Sequence, residues 1–133
     1  MGLFDFVKKK QVELTEEQKK WNKMWELWEE EKVDEPYHQI MTYQNEVNNG
    51  GHDQYFTNVE NAGDLQIELT ILTSILSKKI AENLHKAYQA YLVSKKEDNQ
   101  NTEEVITHCD DVFYEHEAEI NSMLQEYAIK IKL

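Results

Sequence analysis

The sequence has few of the residues that cross-link or interrupt a chain. It contains one cysteine, one proline and four glycines in 133 residues. A single cysteine, Cys109, excludes an intramolecular disulfide, and the lack of a disulfide framework suits a reducing compartment. A chain of this length buries roughly two-thirds of the surface that it exposes when unfolded, so one domain can form without a covalent cross-link.

No targeting or membrane segment is evident at the N-terminus. The first ten residues, "MGLFDFVKKK", place apolar residues before lysines, the reverse of a secretory signal, and they are too few to span a bilayer. Phe6 stands where a myristoylation signal requires Ser or Thr. We expect a cytoplasmic protein, in which Leu3, Phe4, Phe6 and Val7 dock onto the domain rather than onto a membrane.

Basic residues are in the minority. Twenty-six acidic against fourteen basic residues give a formal net charge of −12. Nucleic acid and anionic membranes repel such a chain, which disfavours direct binding to either and favours a basic partner. Solubility alone also explains an acidic composition. Disorder is excluded because 40% of the residues are hydrophobic and 11% are aromatic, enough for a packed core.

The hydrophobic pattern predicts an all-α protein with a single domain over residues 1–133, made of a short helix or arm over 1–14 and a compact helical core over 15–133. We expect about five to seven helices and no significant sheet, because only the tail "IKIKL" alternates as a strand does. Thr15, with Gln18 three residues later, has the form of a capping box. The apolar residues behind it repeat at helical spacing: Trp21, Met24, Trp25 and Trp28.

The second helix is predicted between a proline and a pair of glycines. The sequence Asp-Glu-Pro at 34–36 should end the preceding helix and begin this one, since proline suits the first helical position. Gly50 and Gly51 should end it as a C-cap, because glycine tolerates the left-handed conformation. A short helical turn over residues 52–56 follows. The inner face of the second helix is predicted from five residues: Tyr37, Ile40, Met41, Gln44 and Val47.

Residues 65–80 are apolar on nearly every side, which predicts a central helix enclosed by its neighbours. Asp64 is predicted as the N-cap of this helix, and a bend is predicted between residues 74 and 79.

The polar segment 94–102 is predicted as a loop in which Thr102 caps the last helix. The inner face of that helix is predicted from nine residues: Val105, Cys109, Val112, Phe113, His116, Ile120, Met123, Leu124 and Tyr127.

The histidines and the cysteine do not form a metal or catalytic pattern. Cys109 and His116 are seven residues apart, about 10.5 Å along a helix axis, whereas helical metal pairs are usually three or four apart. His108 points about 100° away from Cys109 around a helix, so it is poorly placed as its general base. Neither a phosphate-binding loop nor a nucleophile elbow is present. We expect no metal, no cofactor and no catalytic residue.

One passage carries a recognisable motif. Residues 46–58, "EVNNGGHDQYFTN", resemble the signature E-x-N-G-G-F-x-Q-F/Y-F-x-N of the DNA-mimic protein family, a bacterial family of small domains. The resemblance continues more loosely to Tyr91 and over the segment "FYEHEAEINSMLQEY". It departs at His52, where the family usually has phenylalanine, and near Ser77, where a common Gly-Ala pair is missing. The matching residues are Glu46, Asn49, Gly50, Gly51, Gln54, Tyr55, Phe56 and Asn58.

The resemblance implies an all-helical fold, suggests a homodimer and implies no known catalysis. In that family an acidic surface is held to imitate the phosphates of duplex DNA for a DNA-binding protein. Such a property depends on surface charges rather than on the motif, so it has to be sought separately in this chain.

The glycine corner allows two interpretations. Glu46, Asn49, Gln54 and Asn58 suit a structural role, in which they satisfy backbone groups exposed where two helices meet. The same residue types also suit a small polar ligand. A ligand-binding domain or an enzyme that uses this corner, with His52 as its titratable group, is therefore an alternative. It requires a concave pocket that contains both His52 and Glu46.

The last helix offers an acidic surface. At about 100° per residue, five of its acids fall within about 80° of arc, beside the apolar stripe, and extend over roughly 33 Å, close to one turn of B-DNA at about 34 Å. An ordinary solvated helix face would also collect acids, and a bend over residues 110–117 would break the row. We call these five residues the acidic row: Glu104, Asp111, Glu115, Glu119 and Glu126.

The combined pattern favours a non-catalytic interaction protein whose acidic row binds a basic protein surface, such as that of a DNA-binding protein. An inhibitor or immunity protein that neutralises a basic toxin enzyme is a further alternative. Charge alone does not separate these two kinds of partner.

Overall fold

The computed structural model describes residues 13–97 and 99–133. Over these residues the chain forms five helices and no strand, which confirms the predicted all-α single domain. No helix among the described residues is long and apolar enough to cross a membrane. The expected docking of the first apolar residues lies outside the described residues. The helices are α1 (Glu16–Glu29), α2 (Tyr37–Ala62), α3 (Leu65–Ile75), α4 (Lys78–Lys96) and α5 (Gln100–Ala128).

Helix α1 begins with the predicted capping box. The Gln18 backbone N–H donates to Thr15 Oγ1 at 3.1 Å, and the Thr15 N–H donates to Gln18 Oε1 at 2.9 Å. Met24 is fully buried, while the three tryptophans are half-buried against the core. The helix ends at Glu29, before the predicted Asp-Glu-Pro boundary, because Glu31 adopts a left-handed φ of 59° that a helix does not accommodate.

Helix α2 is interrupted at the glycine pair, where the sequence predicted that the helix ends. Gly50 (φ −158°, ψ 19°) and Gly51 (φ 77°, ψ −178°) interrupt the helix, which resumes at once and continues to Ala62. The predicted short turn is thus a longer helical segment over residues 52–62, buried on one side. We call the interruption the glycine kink. It changes the helix direction without a loop because side chains on both sides hold the two segments together.

The break between α3 and α4 falls where the bend was predicted. Ser77 caps α4 by accepting a hydrogen bond from the Ile80 N–H, and Asp64 caps α3 as expected. The prediction of an enclosed central helix is wrong for α3, since Leu69 and Leu72 are buried but Ile67 is 56% exposed. The physical reason is position, because α3 packs on α2 and α4 at one side of the domain and leaves its outer face in solvent.

Helix α5 is the longest element and packs against α1, α2 and α4. Its N-cap is Asn99, whose side chain accepts from the Thr102 N–H at 2.9 Å. The prediction that Thr102 is the cap is therefore wrong. The predicted loop over 94–102 is too long, because α4 extends to Lys96 and α5 begins at Gln100. The helix has no interior break over its 29 residues. Its buried residues are Thr102, Ile106, Cys109, Phe113, Ile120, Leu124 and Ala128.

Candidate functional site

The glycine kink is a close contact between α2 and α5. A side chain at Gly51 would place its Cβ 2.5 Å from Oδ2 of Asp110, and the φ of 77° is itself unfavourable for any residue with a side chain. Gly50 leaves no room either, because its Cβ would overlap the Gln54 side chain. Both motif glycines are therefore explained by close approach.

Glu46 connects the two segments of α2 across the kink. Its Oε2 atom accepts one hydrogen bond from Gln54 Nε2 at 3.0 Å and another from Asn58 Nδ2 at 2.8 Å. These three motif residues form the Glu46 clamp. The Tyr114 hydroxyl donates to the Val47 carbonyl at 3.1 Å, supplying a partner close to the point where the helical hydrogen bonds are interrupted.

A buried chain of polar side chains lies directly beneath the kink. The Tyr43 hydroxyl is 2.6 Å from His52 Nε2, and His52 Nδ1 is 2.6 Å from Oδ1 of Asp110. A neutral imidazole satisfies all three groups, because Nδ1–H donates to the carboxylate while Nε2 accepts from the Tyr43 hydroxyl. Burial raises the pKa of Tyr43, and the nearby Tyr55 and Asp110 add to this effect, so Tyr43 keeps its proton to donate.

Motif residues Tyr55 and Phe56 are fully buried in the core. Tyr43 makes edge contacts with Tyr55 and Phe113 at centroid distances of 5.0 and 5.2 Å. Such contacts stabilise a fixed packing of the rings. Asn49 differs from the other motif residues because it is exposed, and it makes no side-chain hydrogen bond among the described residues.

The two cavities beside the kink do not contain His52. One, of about 470 Å³, is lined by residues that include Gly50, Asp53 and Asp110. The other, of about 290 Å³, is lined by residues that include Glu46 and Asn58. His52 is completely buried behind Asp110. Neither cavity therefore provides the shared pocket for His52 and Glu46 that the enzyme alternative requires.

All five residues of the acidic row are exposed on the unbroken α5. They lie about 160° around the helix from the middle of its fully buried face. Val105 and Met123, which are partly buried against the core, lie between the acidic row and that face. The row thus points directly into solvent.

The charge of α5 is of one sign. It carries eight acidic residues and neither lysine nor arginine. Among the described residues, no carboxylate of the acidic row lies within ion-pair distance of a lysine. Two members of the row accept a side-chain hydrogen bond there: Glu119 from the Ser77 hydroxyl at 2.8 Å and Glu104 from Gln100 Nε2 at 3.3 Å. The row is therefore held in place by the helix and not neutralised by neighbours.

The residues that had invited a metal interpretation are not assembled into a site. Cys109 is fully buried, and burial raises the pKa of its thiol, which keeps it protonated and unreactive. His108 is exposed and His116 is half-buried. In the part of the chain that the structure describes, no three metal-ligating side chains are close enough to hold an ion.

Sequence reasoning missed Tyr43, Asp110 and Glu117 as partners of the corner. Glu117 Oε2 accepts hydrogen bonds from Gln44 at 3.0 Å and from Asn48 at 2.6 Å. A signal was present, since Asp110 and Glu117 are acids at the border of the apolar stripe rather than on the solvent face. An acid at such a position needs a hydrogen-bonding partner from the neighbouring element.

The fold and the site together define an acidic, all-helical domain built around a kinked helix and one long acidic helix. A model of the DMP19-like protein family matches residues 29–131, and the chain belongs to this family. DMP19 denotes a DNA-mimic protein family, the family that the sequence was found to resemble. No curated protein and no solved structure matches the chain significantly.

Proposed function

We propose that this protein is a non-catalytic interaction protein whose acidic row binds the basic surface of a DNA-binding protein in place of the duplex. The observation that supports the proposal best is the exposed, uncompensated row of carboxylates on an unbroken helix. Membership of the DMP19-like family makes a DNA-binding protein the preferred class of partner.

The geometry of the row suits the proposal. Its first and last members are separated by roughly 33 Å at about 1.5 Å per residue, comparable with one turn of B-DNA. A helix holds carboxylates at fixed spacing, as a duplex holds phosphates. A partner that neutralises phosphates with lysine or arginine would find charges of the same sign over the same length.

The experiment compares two variants of equal charge. The first converts all five residues of the acidic row to Gln. The control converts five exposed glutamates on α1 and on the residues that flank it to Gln. Both raise the formal net charge by the same amount. The control residues are Glu13, Glu17, Glu26, Glu29 and Glu31.

The partner is first captured from a lysate of the native host, and labelled DNA is then bound to it. Wild type and the α1 variant should displace the duplex, whereas the acidic-row variant should not. Equal displacement by all three proteins would contradict the proposal. A captured partner that has no affinity for DNA would contradict it too and would favour the toxin-inhibitor alternative.

A further inference from the structure

His108 lies inside the acidic row, although it is not one of the acids. It is exposed on α5, four residues after Glu104 and three residues before Asp111. Side chains at these spacings are neighbours on a helix, with Cβ atoms about 5–6 Å apart. The three residues also line one open groove of about 390 Å³ on the helix surface. His108 therefore belongs to the surface that a partner of the acidic row would cover.

His108 is one of only two side chains on α5 that can become positively charged. The helix has neither lysine nor arginine. Its other histidine, His116, is half-buried and lies about 60° beyond the edge of the row around the helix. Histidine is the side chain that ordinarily changes its charge between pH 5 and 8. A protonated His108 would place a positive charge between Glu104 and Asp111, in the middle of an otherwise negative surface.

The helices that pack against α5 offer few charged groups near His108. Lys86 of α4 interacts electrostatically with Cys109, the residue next to His108. Asp53 of α2 lines the cavity of about 470 Å³ beside the glycine kink. Helix α1 contacts α5 near Gln125, roughly 25 Å further along the helix axis. Neither Lys86 nor Asp53 lines the groove that contains His108, so the charged groups that share this groove are carboxylates of α5 itself.

A positive imidazole in the row opposes a basic partner in two ways. It repels the lysine or arginine side chains of the partner, and it competes with them for the carboxylates of Glu104 and Asp111. Both effects weaken binding as the pH falls. Their size is moderate, because exposed charge pairs are screened by water and salt.

We propose that His108 makes binding through the acidic row depend on pH. A basic partner binds most tightly while the imidazole is neutral, and its affinity decreases as the imidazole gains its proton. The inference rests on the proposed function, since His108 acts on the same surface. It adds a means by which acidification releases the partner.

The test measures the affinity of a basic peptide near pH 8 and near pH 5.5 by calorimetry at constant low ionic strength. The peptide is pentalysine, acetylated at its N-terminus and amidated at its C-terminus. Its charge is the same at both pH values, because the lysine side chain has an ordinary pKa of about 10.4. Any change of affinity with pH therefore comes from the protein.

The variants separate His108 from the other histidines. His108→Gln keeps the position neutral, and His108→Lys keeps it positive. His85→Gln is the matched control, because His85 is an exposed histidine of α4 that does not line the groove. The variant with all five residues of the acidic row converted to Gln shows whether the peptide binds to the row at all.

Wild type and His85→Gln should bind the peptide roughly two- to fivefold more weakly near pH 5.5 than near pH 8, as expected for one exposed charge. His108→Gln should lose most of this difference and keep the affinity that wild type has near pH 8. His108→Lys should bind weakly at both pH values. All three histidine variants should unfold at the wild-type temperature, since the substituted side chains are exposed.

Two results would overturn the inference alone. They are a wild-type affinity that is equal at the two pH values, and a His108→Gln protein whose affinity changes with pH as much as that of wild type. Both leave the proposed function intact if the acidic-row variant fails to bind the peptide. An acidic-row variant that binds as tightly as wild type near pH 8 would contradict the row as the binding surface, and the proposed function would fail together with the inference.

Discussion

The Nδ1 atom of His52 lies 2.6 Å from Oδ1 of Asp110, and the backbone N–H of His52 donates to the same oxygen at 2.8 Å. One carboxylate of α5 thus attaches both the side chain and the backbone of the first residue after the glycine kink. The direction of the second half of α2 depends on this contact, since the N–H at a helix start has no partner within its own helix.

Asp110→Ala should therefore lower the free energy of unfolding by about 1–3 kcal/mol, because it leaves buried donors of His52 unsatisfied. Asp111→Ala is the matched control: it removes an adjacent but exposed carboxylate and should change the free energy by no more than about 0.5 kcal/mol. Urea denaturation of the three proteins measures both values. Equal effects of the two substitutions would show that the Asp110 contact contributes no specific stability.

Gly51→Ala should destabilise the protein by about 2 kcal/mol or more, since a side chain is strained at this φ and ψ and its Cβ would collide with Asp110. Gly63→Ala is the control. A Cβ at Gly63 meets no atom within 4 Å, and its φ of −177° is extended backbone that any residue adopts. Thermal unfolding should separate the two variants clearly, and similar melting temperatures would contradict the kink geometry.

Glu68 should make the stability depend on pH in a direction opposite to that of a salt-bridged acid. Its pKa is raised in the folded protein, so the folded state holds the proton at pH values where the unfolded chain has lost it. The stabilisation by that proton is lost as the pH rises through the folded pKa. Glu68→Gln, which resembles the protonated form, should thus be more stable than wild type at neutral pH, with a smaller difference near pH 4.

Urea denaturation at the two pH values measures this difference for Glu68→Gln and for Glu82→Gln. The second variant should show a difference near zero throughout, because an exposed i,i+4 ion pair contributes little. A Glu68→Gln protein that is less stable than wild type at neutral pH would show that Glu68 has a stabilising partner.

Binding of a basic partner through the acidic row should weaken with salt, because exposed charges are screened over about 10 Å at 0.1 M ionic strength. Each single substitution, such as Glu115→Gln, should slow association more than it accelerates dissociation. Surface plasmon resonance with the captured partner measures both rates, with Glu17→Gln as the control. Rates that are independent of salt would argue against recognition through the acidic row.

The helices and most of their ends follow from the sequence because their signals are local. Thr15 and Asp64 are capping residues a few positions from the groups that they satisfy, and the bend between residues 74 and 79 coincides with Ser77. The same locality explains the error at Thr102. Asn99 and Thr102 are both good caps three residues apart, and the choice between them depends on where α4 ends.

The candidate site was predictable only in part. The two glycines marked an interruption correctly, but the continuation of α2 beyond it depends on contacts with residues of α5 that are 58 or more positions away in the chain. The chain order contains no local signal for such a pairing. The acidic row was predictable as a set of residues on one side of a helix, since that follows from a period of about 3.6 residues alone.

Helical periodicity and capping are short-range properties, so the amino-acid sequence determined the helices, the position of the kink and the sign of the surface charge. Tertiary packing decided which side of each helix is buried. That choice directed the acidic row into solvent and enclosed His52 between Tyr43 and Asp110. It also placed Glu68 beside the Glu46 clamp. These outcomes depend on how whole helices fill space against one another, because the shared core has to be closed by all of them at once.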